Sequence, residues 1–277
     1  MPEDLSELKE LDKGCPKQRE CPIWRYALEK YPKCKEKYKP NYPPKIEKVK
    51  DAEICFIGIA PGFNVDRCKK DGDVWGKEIM EGAYTGKGCF TGEEIYRAME
   101  TTMNAIGDGD VKYYVTNIYK CPTIKIDKNA NYTFEIGGKK FEKPEDYWRF
   151  CAHHFLKREL KALTNLKVVI TMGRWASEYF GKLYNPDTEL WEEYFWDRPI
   201  ESKEHNPIKL KIYNREVSVL VSLHPRNFSR NINKKIFKND IISNLQQEGK
   251  KLKFSEVIPE LLKEVYEKKD THRRTRR

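Results

Sequence analysis

Short apolar runs punctuate an otherwise polar chain and set its rhythm. Ala52–Gly58, Val111–Asn117 and Leu166–Met172 are runs of strand length, bounded by polar or glycine residues. Ile208–Tyr213 and Glu216–Leu223 follow later, the second ending at His224. Such runs predict buried strands. Between them the period lengthens to that of a helix. Gly92 to Met103 places Ile95, Ala98, Met99 and Thr102 on one face. A second helix has Pro144 near its start, with Cys151, Phe155, Leu156 and Leu160 inward and its Lys, Arg and Glu positions outward. Trp175 to Phe180 begins a third, and residues 232–270 are mostly helical through Ile241, Leu245, Val257, Leu261, Leu262 and Val265.

The remaining stretches lack either period. Residues 5–35 read as short helical pieces, and 36–50 as an extended crossing segment with Pro40, Pro43 and Pro44. Residues 63–89 are polar and glycine-rich, long for a connection without a role. Residues 124–141 alternate around Gly137-Gly138 and predict an inserted hairpin. Residues 181–208 are aromatic and acidic with no clear period.

Alternation of strand and helix predicts an α/β fold: a three-layer α/β/α sandwich with a central four-stranded parallel sheet, plus an inserted β-hairpin. Residues 1–50 would be a cysteine-bearing extension packed on the core. Residues 51–245 would be the α/β domain, with insertions at 63–87, 124–141 and 181–215, and 246–277 a C-terminal helix and basic tail. Sites in such folds lie at the carboxyl ends of the strands. Gly58, Asn117, Gly173 and His224 all fall at such ends, so one rim is the expected site.

Composition narrows the partners. Of 277 residues, 53 are Lys or Arg and 43 Asp or Glu, a formal charge of +10. A positive surface suits phosphate backbones or anionic membranes. No apolar stretch is long enough for a membrane span, and no apolar export segment stands at the N-terminus, so a cytoplasmic protein is expected. In a reducing compartment the 8 cysteines are not expected to form a disulfide scaffold.

The motifs add chemistry. Gly58-Ile59-Ala60-Pro61-Gly62 is a stiff turn rather than a dinucleotide fingerprint, and its backbone N–H groups can face a ligand. Phe90 sits between glycines in Gly88-Cys89-Phe90-Thr91-Gly92; it is either core or an aromatic that stacks a planar base. The amide of Asn117 can donate and accept together, which suits a pyrimidine edge, or it caps a turn. Lys120 can contact phosphate or support the loop. His224 can donate to a developing anion or is a satisfied structural histidine, and Arg226, Asn227 and Arg230 beside it suit phosphate contact. His153 and His154 are adjacent on a helix and so point apart, which argues against a shared metal.

Cys55 lies inside an apolar strand and reads as core; Cys68 and Cys89 flank the polar loop. The four chosen as metal ligands are Cys15, Cys21, Cys121 and Cys151, with Cys34 competing with Cys15. Four thiolates suit an iron–sulfur cluster or zinc.

Taken in order, these residues resemble the uracil-DNA glycosylase superfamily, in its iron–sulfur branches, families 4 and 5. Gly58–Gly62 is similar to the first motif. Gly88–Gly92 is similar to the stretch whose phenylalanine stacks on uracil. Thr116-Asn117-Ile118-Tyr119-Lys120-Cys121-Pro122 resembles the strand end supplying the uracil-reading asparagine, a lysine and a cluster cysteine. Cys151–Leu156 resembles the helix start with the next cluster cysteine, and Val168–Ala176 the following strand–glycine–helix unit. Leu223-His224-Pro225 resembles the final motif, whose histidine contacts the uracil O2. The resemblance covers roughly residues 12–245. Family 4 has glutamate where this chain has Ile59; family 5 has an apolar residue there, and its aspartate after Phe-Thr-Gly falls on Glu93. The early cysteines are C-x₅-C rather than C-x₂-C, and Arg226 replaces the usual serine.

The resemblance implies a monomeric DNA glycosylase that hydrolyses the N-glycosidic bond of uracil or a related deaminated base and so initiates base-excision repair. Its implied base site is Ile59, Ala60, Phe90 and Asn117, with His224 and Glu93 catalytic and Asp66 second choice to Glu93. Lys120, Arg226, Asn227 and Arg230 would hold DNA. A structural 4Fe-4S cluster, or zinc, would sit on the four cysteines. The alternatives are an inactive nucleic-acid-binding protein on the same scaffold and a nucleotide hydrolase.

Overall fold

In a computed structural model of the chain, the described residues are 21, 50–60, 90–106, 111–120, 134–136, 139–141, 147–185, 190–191, 208–226, 228 and 253–274. In chain order the elements are β1 (Ile54–Gly58), α1 (Phe90–Ile106), β2 (Tyr113–Asn117), β3 (Phe134–Ile136), β4 (Lys139–Phe141), α2 (Tyr147–Cys151), a π-helical segment (Ala152–Leu156) and α3 (Lys157–Ala162). Then come β5 (Val168–Met172), α4 (Arg174–Tyr184), β6 (Ile208–Ile212), β7 (Arg215–Ser222) and α5 (Phe254–Arg274).

The apolar runs pair as a sheet in the order β2-β1-β5-β7-β6. The first four strands are parallel, with Gly58 beside Asn117, Ile57 beside Thr171, and Met172 beside Ser222. All five residues of β1 and of β5 are buried, as strands covered on both faces must be. The expected four-stranded sheet thus needs correction, because β6 adds a fifth, antiparallel strand on β7. That stretch belonged to the assigned insertion 181–215. Its pattern is that of an edge: Ile208 and Ile212 are buried while Lys209 and Lys211 face solvent. An antiparallel neighbour needs only a short turn, here Tyr213-Asn214, with Tyr213 at φ 54°. The expected hairpin is present as β3 and β4, joined antiparallel.

Side-chain alternation along β1 sorts the helices into two layers. Phe56 meets the Phe254 ring of α5 at 6.2 Å and Tyr113 edge-on at 6.1 Å. Next to it, Cys55 points the opposite way and feels the charge of Glu159 on α3. Thr116, the register partner of Ile57, donates to Glu159, and Thr171 shares a hydrogen bond with Ser177 of α4. So α3 and α4 cover one face and α5 the other.

Helix α1 joins the α5 layer through a buried carboxylate. Glu94 accepts from the backbone N–H of Ser255 at 3.1 Å and from its hydroxyl at 2.9 Å. The negative charge therefore satisfies donors at the start of α5, where the helix dipole favours it. Further along α5, the Tyr266 hydroxyl donates to Glu53, just before β1, at 3.1 Å. The start of α5 is thus at the carboxyl end of the strands, and its bond to Glu94 brings the start of α1 to that end as well.

The helix expected around Cys151 is broken by its π-helical middle. Cys151, Phe155, Leu156 and Leu160 are inward as the periodicity predicts. Glu159, expected outward with the other charged positions, is buried at 2% exposure. It continues the row Cys151, Phe155 at intervals of four, and Lys120 compensates its charge.

Candidate active site

The rim is built around two glycines on the inner strands. Gly58 ends β1, and a Cβ placed there would lie 2.5 Å from Asn117 Oδ1. The amide of Asn117 therefore leans over β1 into space that only glycine leaves open. Met172 closes the far side, its terminal carbon 3.7 Å from the same Cβ position.

Gly173, just beyond β5, lies beside His224. Its φ of 95° is one that side chains rarely adopt, and a Cβ there would lie 3.5 Å from the His224 Cβ. The turn is held by Gly173 N–H donating to Ser222 O at 2.7 Å and by Ser177 donating to Gly173 O at 3.0 Å. Asn117 and His224 follow strands separated by β1 and β5, so their backbones are about 14 Å apart across the sheet. The Asn117 amide reaches into that gap over Gly58, and His224 starts from beside Gly173.

His224 is set up as a neutral donor. The backbone N–H of Arg226 donates to His224 Nδ1 at 3.3 Å. Nδ1 thus accepts, and the ring proton sits on Nε2. Burial, with the nearby Arg226 charge second, lowers the imidazole pKa to about 4. A neutral imidazole with Nε2–H free to donate can stabilise a developing oxyanion without first losing a proton.

Lys120 does not belong to the DNA-facing set. Its ammonium is 1% exposed and pairs with Glu159 Oε2 at 2.7 Å. It also donates to Thr116 Oγ1 at 2.5 Å and to the Asn117 carbonyl at 2.9 Å. Phosphate cannot reach it there. Of its two expected roles, support of the loop fits: its bonds to Thr116, the Asn117 backbone carbonyl and Glu159 pin the end of β2.

Phe90 opens α1 at the rim end and is 46% exposed, so it is not core. Glu93 lies one turn on, half-buried, on the same helix face. Ile59 and Ala60 are half-buried and pack against the core. The Ile59 carbonyl accepts from Tyr119 N–H at 2.9 Å, which extends the β1–β2 pairing past the strand ends. Arg226 is exposed beside His224. Asn227, Arg230 and Asp66 lie outside the described residues.

Two of the four chosen cysteines can be placed. Cys151 ends α2 and is buried; Cys21 is half-buried against the core, and both are free of disulfides. Cys15 and Cys121, like Cys34, lie outside the described residues, and among those described no three metal-ligating side chains gather. Tyr119, two residues before Cys121, and Trp148, three before Cys151, both pack on the Tyr179 ring, at 6.4 and 4.8 Å. One aromatic cluster thus draws the two cysteine-bearing segments together. His154 stacks on Phe150 at 5.3 Å while His153 is exposed, so the adjacent histidines part as expected. Burial pushes the Cys55 thiol well above its usual range, as a core position should.

Sequence reading missed Glu159, whose only local signal was its place in the inward row with Cys151 and Phe155. It also missed the clearing role of Gly58, which depends on a strand neighbour far away in the chain.

A family model described as the uracil DNA glycosylase superfamily matches residues 44–246, well over half of the chain. No curated protein matches it. No described helix is long and apolar enough to cross a membrane.

Proposed function

The chain belongs to the uracil DNA glycosylase superfamily, and we propose that it hydrolyses the N-glycosidic bond of uracil or a related deaminated base in DNA. The observation that carries this reading is His224: its Nδ1 accepts from Arg226 N–H, leaving a neutral Nε2–H donor at the rim.

The target nucleotide turns out of the DNA stack, at a cost of a few kcal/mol. Phe90 stacks on the base and Asn117 reads its edge. As the bond from C1′ to the base nitrogen lengthens, the electron pair moves into the ring and negative charge grows on the pyrimidine oxygens. His224 Nε2–H and backbone N–H groups near Ile59 and Ala60 stabilise that charge. Water adds to C1′ as the base departs, and Glu93 takes the water proton. Arg226, with Asn227 and Arg230, holds the DNA backbone.

Cys15, Cys21, Cys121 and Cys151 would hold a 4Fe-4S cluster, zinc being the alternative. When bound, the cluster supplies a fixed covalent anchor for the segments around the rim. Tyr119 and Trp148, two and three residues before Cys121 and Cys151, both pack on Tyr179, which supports that assignment.

A second reading has one observation in its favour. Ile59 packs against the core and puts no carboxylate at the first motif, which suits a protein that binds a flipped base without hydrolysing it.

The test is release of free base from oligonucleotides bearing uracil, hypoxanthine or xanthine. Release by the native protein, reduced at least a hundredfold in Asn117→Ala and His224→Ala, supports the proposal. Tight binding with no release, unchanged in Glu93→Gln, supports the second reading instead.

A further inference from the structure

Trp175 is more exposed than Phe90, Tyr96 and Tyr213, the other large hydrophobics on the described surface, at 55%. A lone surface aromatic is ordinary; this one is braced and charged. Tyr179, one turn later on α4, lies 5.8 Å from its ring. Tyr179 in turn stacks flat on Trp148, at 4.8 Å and 8°. Both supports are buried, so the Trp175 ring is held outward by a fixed aromatic base rather than folded back on the surface. The Arg174 guanidinium lies 5.6 Å from the Trp175 ring centre, and Arg149 lies 5.7 Å from that of Trp148. Both arginines are exposed.

Position gives this row its meaning. Arg174 and Trp175 follow Gly173 directly, and Gly173 abuts His224. At the other end Tyr119, packed edge-on against Tyr179, lies two residues past Asn117. The row therefore runs along the rim from the His224 side to the Asn117 side, on the face covered by α4.

We propose that Trp175, with Arg174 and Arg149, is a stacking seat for a nucleotide next to the one whose base enters the rim site, so that the protein grips a locally unpaired DNA strand. A planar base against an exposed indole and a phosphate against guanidinium are the two contacts a single strand offers at every residue. On binding, the Arg174 guanidinium leaves the ring for the phosphate and the base takes its place. The seat rests on the proposed function only for its link to base release; strand binding stands apart from it.

The full-length protein is titrated against a labelled single-stranded oligonucleotide with a central uracil, the same strand with thymine, the paired duplex, and RNA of the same sequence. Trp175→Ala is expected to weaken single-strand binding about five- to a hundredfold. Trp175→Phe should retain most of the affinity, and the duplex should be affected less. Arg174→Gln should lower the salt slope of single-strand binding by about 0.7. Trp175 is exposed, so Trp175→Ala should melt with the native protein. Native-like single-strand affinity in a folded Trp175→Ala protein overturns the seat, even if base release is intact. Trp175-dependent binding without base release upholds the seat and sinks the proposed function. RNA held more tightly than DNA through Trp175 overturns its link to the base site.

Discussion

Gly58 and Asn117 are cross-strand partners in which one residue's missing side chain is filled by the other's: the Asn117 side-chain oxygen Oδ1 lies 2.5 Å from where a Gly58 Cβ would be. No real Cβ tolerates that approach, so the amide holds its direction only while residue 58 is glycine. Gly173 is needed for a different reason: its φ of 95° suits glycine, while a Cβ there would only touch His224 at ordinary contact distance. Asn117 ends β2 and leans over β1, while His224 follows β7 beside Gly173 at the end of β5.

Gly58→Ala should therefore act on chemistry more than on folding. The added methyl turns the amide away from the rim, and a displacement of about 1 Å can reduce the rate roughly a hundredfold. Thermal melting should move little, because the amide can rotate at the half-buried rim. Rates of base release beside melting curves check this; an active Gly58→Ala protein would show that Asn117 does not need its observed direction.

The lowered pKa of His224 has a signed consequence. The unfolded chain binds the proton near pH 6.5 and the native one only near pH 4. Between these values the unfolded state holds more protons, so this group's contribution to stability falls as pH drops from 6.5 to 4. His224→Asn removes that contribution. The stability difference between native and variant should therefore change across this window and be flat above it. In base release, the loss caused by protonating His224 should come near pH 4, not 6.5. Denaturant titrations and rate profiles across pH 4–8 read both.

The Lys120–Glu159 pair predicts a split between stability and activity. Glu159→Gln leaves the buried ammonium uncompensated and should destabilise by about 3–5 kcal/mol. Lys120→Met with Glu159→Leu removes both charges and should restore most of that stability. Base release should stay low in the double variant, because the Asn117 carbonyl and Thr116 have lost their common donor. Full recovery of rate would mean the pair is purely structural.

Phe90→Ala should leave melting unchanged, since the ring is nearly half exposed. Loss of base stacking should slow release about tenfold. The comparison of release rate and melting temperature separates the two roles.

Protein purified without oxygen should contain iron and sulfide in about equal amounts and absorb in the visible range. Cys151→Ser and Cys21→Ser should each lose most of that iron. Colourless protein with about one zinc per chain, lost in the same variants, would assign the site to zinc.

Much of the fold follows from local pattern. The runs at Ile54, Tyr113 and Val168 are mostly apolar without alternation, as strands inside a covered sheet tend to be. Periodicity likewise marked the inward faces of α1 and of the helix around Cys151. The strand ends carried Gly58, Asn117, Gly173 and His224, and the rule that α/β sites gather there drew attention to one rim before any coordinate. What sequence could not supply was the partner of each group. Lys120 reads as a surface cation until Glu159, far along the chain, is found against it. Glu159 itself reads as solvated until the inward row around Cys151 turns it inside. The edge strand β6 has an ordinary alternating pattern that names no neighbour.

The chain's own order of apolar runs and glycines therefore dictated the layers and the rim, because burial and backbone freedom are local properties of residues. Which side chain leans over which glycine, which charge neutralises which, and which aromatic stands outward on a buried brace depend on distances between segments remote in the chain. Only the packed sheet fixes those distances.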